Sequence, residues 1–388
     1  MRWFRLTMRC NMGLVSRTRS ETYKGLPPLH HYTVYGITVA TDFPFTWPLV
    51  PADRPADLRF ELVSESPIEV AWRDLPPRYR IPSGESEPPA VTYHRLEGLH
   101  TSPDAADRSI QPSSRSHGRS AALEGRPVAG TDIIRIHRVA DHFLFPDRIV
   151  CHLHNPEYTY LVEIQLLGVV LALWLERRGI PVLHGSCGVI DGRAVAFLGR
   201  KGSGKTTLAA GLLATGHALL TDDLLALDAT GSEVRAQPGY PMLRLEPDQI
   251  NRFVGTAGSF PKVHPRFTKR AVPVGPDFGR FHPEPAPLHR VFLPERIGDW
   301  NAADGDPPTI EPAAPDRALL ALVGHSYLEE EVHALGLAGS RFRRLAGLLD
   351  RGMGVYRLRY PNGFEHVPAV VAAVEAHCQR WESVPPSV

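Results

Sequence analysis

The stretch Gly199-Arg200-Lys201-Gly202-Ser203-Gly204-Lys205-Thr206 fits G-x-x-x-x-G-K-[ST], the pattern of a phosphate-cradling loop. Its glycines let the backbone curl until successive N–H groups point at phosphate oxygens. Lys205 is placed to reach the outer phosphates and the Thr206 hydroxyl to hold magnesium, so ATP and Mg2+ are the expected ligands. Thr207 extends the nucleotide-binding set by one residue. The loop grips phosphates and leaves the base unspecified. Lysine is scarce in this chain, five of 43 basic residues, yet two of the five fall here.

Working outward, the flanking segments supply what such a loop needs. Residues 193–198 (RAVAFL) read as a short buried strand running into the glycines. Residues 205–215 are rich in Ala and Leu and predict a helix stopped by Gly216. Its N-terminus would add a dipole and free N–H groups to the anion site. A second strand, 217–221, ends on Asp222-Asp223. Neighbours at a strand end face opposite ways, so these carboxylates can divide the work between metal and acceptor. The alternative makes the pair a solvated turn. Upstream, residues 180–190 alternate as a strand, and Asp191-Gly192 turns it into a hairpin with 193–198. That hairpin brings His184 toward the phosphates; the alternative is a histidine that is simply packed or hydrogen-bonded.

Three blocks carry a resemblance: Leu183-His184-Gly185, then Gly199 to Thr206, then Gly216-His217-Ala218-Leu219-Leu220-Thr221-Asp222-Asp223. In order and spacing they resemble the catalytic core of the HPr kinase/phosphorylase family. These are bacterial serine kinases whose catalytic domain is similar to phosphoenolpyruvate carboxykinase. Pro238 to Leu245 resembles the HPr-kinase-related branch, some of which phosphorylate a serine of ribosomally made peptides such as lasso-peptide precursors. The motif-bearing part covers about 65 residues, with weaker likeness over 131–377.

The resemblance implies an α/β fold, a phosphoenolpyruvate-carboxykinase-like P-loop core of mixed sheet with a small amino-terminal β segment. It implies Lys205 and Thr206 on phosphates and magnesium, Asp222 on the metal, Asp223 as base and His184 tuning Asp223. It implies transfer of the γ-phosphoryl group to a hydroxyl, a serine of a peptide or small protein. The Leu-Glu-x-Arg-Gly signature of HPr kinase/phosphorylase proper has no clean counterpart, since Arg244 and Glu246 only approximate it. Phosphorolysis and HPr as substrate therefore do not carry over.

Phosphoryl transfer needs positioning, charge neutralisation and a group that orients or deprotonates the nucleophile. A carboxylate base is expected to gain proton affinity from the like charge beside it. Two other readings keep the loop: a kinase for a small alcohol-bearing metabolite, and a nucleotide-gated interaction protein without catalysis. The paired acids and His184 count against the second, because binding alone needs no base.

Across its 388 residues the chain carries a formal net charge of +1, which makes no case for nucleic acid or a membrane surface as partner. A homo-oligomer stays open. Cys10, Cys151, Cys187 and Cys378 are scattered, the expectation for a reducing cytoplasm. Residues 161–175 are the most apolar run but contain Glu163 and Gln165; they read as a buried helix too short for a bilayer, with Gly179 as its stop.

Four regions follow. Residues 1–27 read as a flexible basic tail, where Met8 and Met12 suggest an over-extended start. Residues 28–81 read as β-rich, with strands at 32–42 and 58–63. Residues 82–130, dominated by Ser, Pro, Gly and Arg, read as a disordered insertion or linker. Residues 131–380 read as the catalytic domain, with strands at 132–137, 288–293 and 355–358 and helices at 317–325, 342–349 and 367–378. Residues 249–276 contain no Asp or Glu but carry Lys269 and Arg270. Two readings fit: a mobile lid closing on phosphates or substrate, with Arg244 as a further contact, or a solvated basic loop. In a strand Cys151 faces away from His152 and His154, so those three do not converge on a metal unaided. Cys187 reads as strand packing.

Overall fold

The alternating segments pair into two large mixed sheets. The computed structural model describes residues 29–68, 70–81, 90–96, 130–297 and 307–380. The expected tail, 1–27, lies outside them. The first sheet is built from β1 (His30–Val34), β2 (Ile37–Thr41), β3 (Val50–Pro51), β4 (Leu58–Val63), β5 (Tyr79–Ile81), β6 (Val91–Arg95), β7 (Asp132–Ile136), β8 (Ala140–Leu144) and β9 (Arg148–Leu153). Their order across the sheet is β3-β1-β2-β4-β9-β8-β7-β6-β5.

Three sequence expectations change here. Residues 32–42 are not one strand: Tyr35 (φ 53°) and Gly36 (φ 82°) form a two-residue turn that folds β1 onto β2. Alternation alone does not reveal a turn whose first residue is a buried tyrosine. Within the stretch read as an insertion, Val91–Arg95 forms β6, paired with both β5 and β7. The strands of 132–153, assigned to the catalytic domain, belong to the first sheet, because β9 pairs in parallel with β4. Such long-range pairing has no local signature.

A helical span then leads into the second sheet. It comprises α1 (Thr159–Gln165), a π-turn at Leu166–Val170 and α2 (Leu171–Arg177). Gly168 departs from helical geometry, and the displaced Leu167 carbonyl accepts a hydrogen bond from the Tyr35 hydroxyl at 2.8 Å. The whole span, Pro156–Arg177, is 22 residues long, and by length and composition alone it is apolar enough to cross a membrane. The sequence estimate of its length was therefore short, but its expected burial is seen. One apolar cluster joins its Leu166, Val170, Leu171 and Trp174 to Phe60 and Ile149 of the first sheet and to Val182 and Leu224 of the second.

The second sheet contains β10 (Val182–Ile190), β11 (Arg193–Leu198), β12 (Ala218–Thr221), β13 (Leu224–Asp228) and β14 (Arg235–Ala236). A separate hairpin of β15 (Met242–Leu245) and β16 (Arg270–Pro273) follows. Then β17 (Arg280–Phe281), β18 (Ala286–Ile297), β19 (Thr309–Pro312) and β20 (Gly354–Pro361) complete the main sheet. The helices are α3 (Lys205–Ala214), α4 (Pro247–Phe253), α5 (Pro315–Gly324), α6 (Glu329–Ala334), α7 (Ala338–Asp350) and α8 (Val367–Gln379). The fold is mixed α/β.

Helix α3 is buried on two flanks, which fixes the loop before it. Leu208 and Leu212 pack with Val367, Val370 and Val371 of α8, and Ala209, Ala210 and Leu213 with Leu243, Leu245 and Ile250. Each fully buried leucine contributes roughly 1.5–3 kcal/mol.

Candidate active site

The Asp191-Gly192 turn (φ 48° and 76°) folds β10 onto β11, with Ile190 opposite Arg193 and Gly185 opposite Leu198. A Cβ at Gly185 would lie 2.5 Å from Leu198 Cδ2 and 2.9 Å from the Phe197 carbonyl oxygen. Only glycine allows that approach, and it sets His184 beside the start of the loop. Gly202 (φ 84°) and Gly204 (φ 100°) make the curl expected from sequence. Lys205 is 7% exposed, and its ammonium donates to the carbonyls of Gly199 (2.7 Å) and Arg200 (3.2 Å). Burial lowers its pKa, while Asp222 and Asp223 act the other way. Ser203 Oγ is buried with no hydrogen-bond partner among the described residues, an unsatisfied donor inside the cradle. Arg200 and Lys201 are exposed at its rim.

Two contacts to the loop escaped sequence reading. Arg296 of β18 donates to the Gly202 carbonyl, and the Tyr360 hydroxyl to the Ser203 carbonyl at 3.3 Å. Both come from β18 and its neighbour β20, at positions without any motif.

Strand β12 pairs with Cys187–Val189 of β10, and β13 with Val182–His184, so the Asp222-Asp223 connection passes β10 at Gly185 and Ser186. Asp223 has φ 75°, an uncommon conformation for a residue other than glycine and one that concentrates at functional sites. The two carboxylates do face different partners. Asp222 Oδ1 accepts from Ser186 Oγ (2.6 Å) and Thr206 Oγ1 (3.2 Å), and its Oδ2 from the Arg244 N–H (3.1 Å). Asp223 Oδ2 is 2.7 Å from Arg244 Nη1, and its Oδ1 is 3.4 Å from His184 Nδ1. His184 Nδ1 also lies 3.1 Å from the Asp223 carbonyl oxygen. Thr206 and Asp222 thus present adjacent oxygens, a donor set that fits a hard divalent cation.

Electrostatics corrects one expectation. Burial raises the proton affinity of Asp223, but Arg244, His184, Lys269 and Lys205 together carry its pKa below the ordinary carboxylate value. The neighbouring like charge does not govern, because Asp222 spends its oxygens on hydroxyls and a backbone N–H while a guanidinium sits on Asp223. Burial lowers the pKa of His184, with Asp223 opposing, so the ring favours its neutral form.

Arg244 was expected in a lid; it lies instead in β15, at the centre of the site. Its Nη2 donates to Tyr240 Oη at 2.9 Å, and the guanidinium stacks 5.2 Å over Trp47 of the amino-terminal region. The stretch 249–276 is a solvated basic loop only in part, with Arg252, Lys262 and Arg266 exposed. Ile250 and Val272 are fully buried, and the segment packs on the apolar flank of α3. Its charge count concealed this apolar stripe. Lys269 is close enough to influence Asp223 and Lys205, whereas Arg270 Nη1 donates to the Phe260 carbonyl at 2.7 Å. Thr207 Oγ1 accepts from Gln249 Nε2 at 2.5 Å, tying α3 to α4.

His152 and His154 do share a face, and Asp141 of β8 joins them, with ligating atoms all within 4.8 Å. Arg135 donates to both oxygens of Asp141 (2.8 and 3.2 Å), so the group is an ion-pair network around a buried aspartate. Cys187 is fully buried and burial pushes its thiol pKa up, as packing requires.

A cavity of about 340 Å3 opens beside the acids, with Asp223 and His184 in its wall together with Tyr93, Val169 and Tyr327. It lies where the first sheet, the π-turn and the segment leading into α6 meet.

No family model and no curated protein matches the sequence. Among solved structures the chain is similar to the HPr(Ser) kinase/phosphatase from Coxiella burnetii, at 13% identity and a TM-score of 0.28, over 52% of this chain and 99% of that one. So remote a likeness says nothing of what this chain binds; the site's own side chains carry the functional reading.

Proposed function

We propose that the protein is an ATP- and magnesium-dependent kinase that transfers the γ-phosphoryl group to a hydroxyl, a serine of a peptide or small protein. One observation carries the reading: two adjacent carboxylates beside a phosphate loop divide between a hydroxyl pair, Ser186 and Thr206, and a basic pair, Arg244 and His184. Binding alone needs only the loop. The core is read as phosphoenolpyruvate-carboxykinase-like, with magnesium held by Thr206 and Asp222. Bound there, the cation would neutralise charge on the transferring phosphoryl group.

The chain's residues then have separable roles. Loop N–H groups, the Ser203 hydroxyl and the α3 N-terminus bind the phosphates. Lys205 leaves the carbonyls of Gly199 and Arg200 to meet the outer phosphates. Asp223, ionised at neutral pH, accepts a hydrogen bond from the acceptor hydroxyl and orients it in line. Orientation suffices because the transition state is loose and proton transfer can come late. Arg244 holds Asp223 in place, and neutral His184 fixes its other oxygen.

The test follows γ-labelled phosphate from ATP into a peptide library. Wild-type protein should label an acceptor, and Lys205→Ala and Asp223→Asn should not. Full turnover by Asp223→Asn would remove the assigned role, and a folded protein that ignores MgATP in calorimetry would remove the kinase.

A further inference from the structure

The cavity beside Asp223 has a chemistry of its own. One wall is the inward face of the first sheet, where Ile81 of β5 and Val91 and Tyr93 of β6 line up. The opposite side comes from Val169 of the π-turn and from Leu328. Between Asp223 and these apolar walls the remaining acidic group is Glu331 of α6. The Tyr93 hydroxyl donates to Glu331 Oε1 at 3.3 Å, and burial raises the carboxyl's pKa. Glu329 and Glu330 precede it, both exposed, so the approach is acidic.

We propose that this cavity is the acceptor site, and that it selects a hydroxyl borne on an apolar skeleton with a cationic group directed at Glu331. The inference rests on the kinase reading above and adds what the substrate must look like. Three features support it. The cavity reaches the carboxylate that would orient the hydroxyl. Its walls are apolar, so a hydrated polar chain would lose water there without recompense. Its anionic group is half-buried, where a matching charge is discriminated more strongly than at an open surface. The two sheets thereby divide the work, the first contributing the specificity wall and the P-loop sheet the phosphate site. A serine flanked by leucine and lysine and a free aliphatic amino alcohol share this chemistry.

The experiment compares both sources. The peptide arm uses acetyl-Lys-Leu-Ser-Leu-amide against the same peptide with Gln for Lys. The small-molecule arm uses 6-amino-1-hexanol against 1-hexanol. Label transfer from MgATP is measured with each, and MgATP binding is measured separately by calorimetry. In the favoured arm the cationic acceptor should show kcat/KM about tenfold or more above its neutral counterpart. Glu331→Gln should erase that ratio and Glu331→Lys should invert it, while Val91→Asp should depress transfer to both members of a pair. A ratio comparison within each variant remains readable if the variant is partly unfolded. Transfer without any cation preference, or a preference unchanged in Glu331→Gln, overturns the inference and leaves the kinase standing. MgATP binding with no transfer to any of the four probes also overturns it. Failure to bind MgATP overturns the kinase reading and this inference with it.

Discussion

The described residues contain the same trio of groups twice, an aspartate held by an arginine and a histidine. In the first sheet Asp141 is completely buried, gripped by both arms of Arg135 and by His154 Nε2 at 3.0 Å. In the second Asp223 is held by Arg244 and His184, yet 24% of its side chain stays exposed, facing a cavity. In both, opposing charges carry the carboxyl pKa below its ordinary value against the effect of burial. Composition and charge are therefore alike; access separates them. The first trio sits on regular β8 and its neighbours, the second on a left-handed turn between β12 and β13 beside the glycine-rich loop. A buried aspartate stabilises a sheet, and one that opens on a cavity can meet a substrate.

The comparison breaks most sharply in mutants. Asp223→Asn should lower the rate of phosphoryl transfer by about 10²–10⁴-fold and also cost stability in urea, because Arg244 is left facing a neutral amide. Asp141→Asn should cost stability alone: a loss of about 3 kcal/mol in urea unfolding, because Arg135 is left facing a neutral amide, with unchanged turnover per folded molecule. If both variants lost stability equally and kept activity, the contrast would be void.

Acid sharpens it next. Burial holds His142 of the first sheet, and His325 and His377 of the second region, at pKa values of about 4 against 6.5 ordinarily. Between these values the unfolded chain binds protons that the folded chain refuses, so stability must fall as pH drops from 6.5 toward 4. The depressed carboxyls Asp141 and Asp223 act in the same direction: their contribution is present above the ordinary carboxylate pKa and is lost as pH falls through the lowered value. Thermal midpoints measured across this window should fall steadily, and His142→Asn should flatten part of the slope. A flat profile would contradict the burial assigned to these rings.

The smallest effect distinguishes two neighbours. Lys269→Ala should weaken MgATP binding several-fold, since its charge reaches Lys205 and Asp223. Arg270→Ala should change it by less than about twofold, as a contact away from the phosphates commonly does. Equal losses in calorimetry would return Arg270 to the phosphate site.

What was legible in sequence follows from range. The β11–loop–α3 unit, the Asp191-Gly192 hairpin and the strand ending on Asp222-Asp223 are local, each set by glycine conformations and helix propensity within a dozen residues or so. The buried helix at 161–175 was legible for the same reason. The Tyr35-Gly36 turn, strand β6 and the membership of β7–β9 were not, since each depends on a partner strand or a packing environment that local sequence does not encode. The packing of 249–276 was hidden behind its positive charges. Arg244 was singled out but misplaced, because its value lies in a contact with Asp223 across 21 residues.

By itself the sequence determined that a glycine-rich loop, a helix pointing at it and a pair of acids would stand together, because backbone curl and strand alternation are decided by neighbouring residues. Only the tertiary structure decided which acid opens on a cavity. Arg244, Trp47, Tyr93 and Glu331 reach the site from separate elements, and exposure and electrostatic field at a carboxylate are properties of everything packed around it.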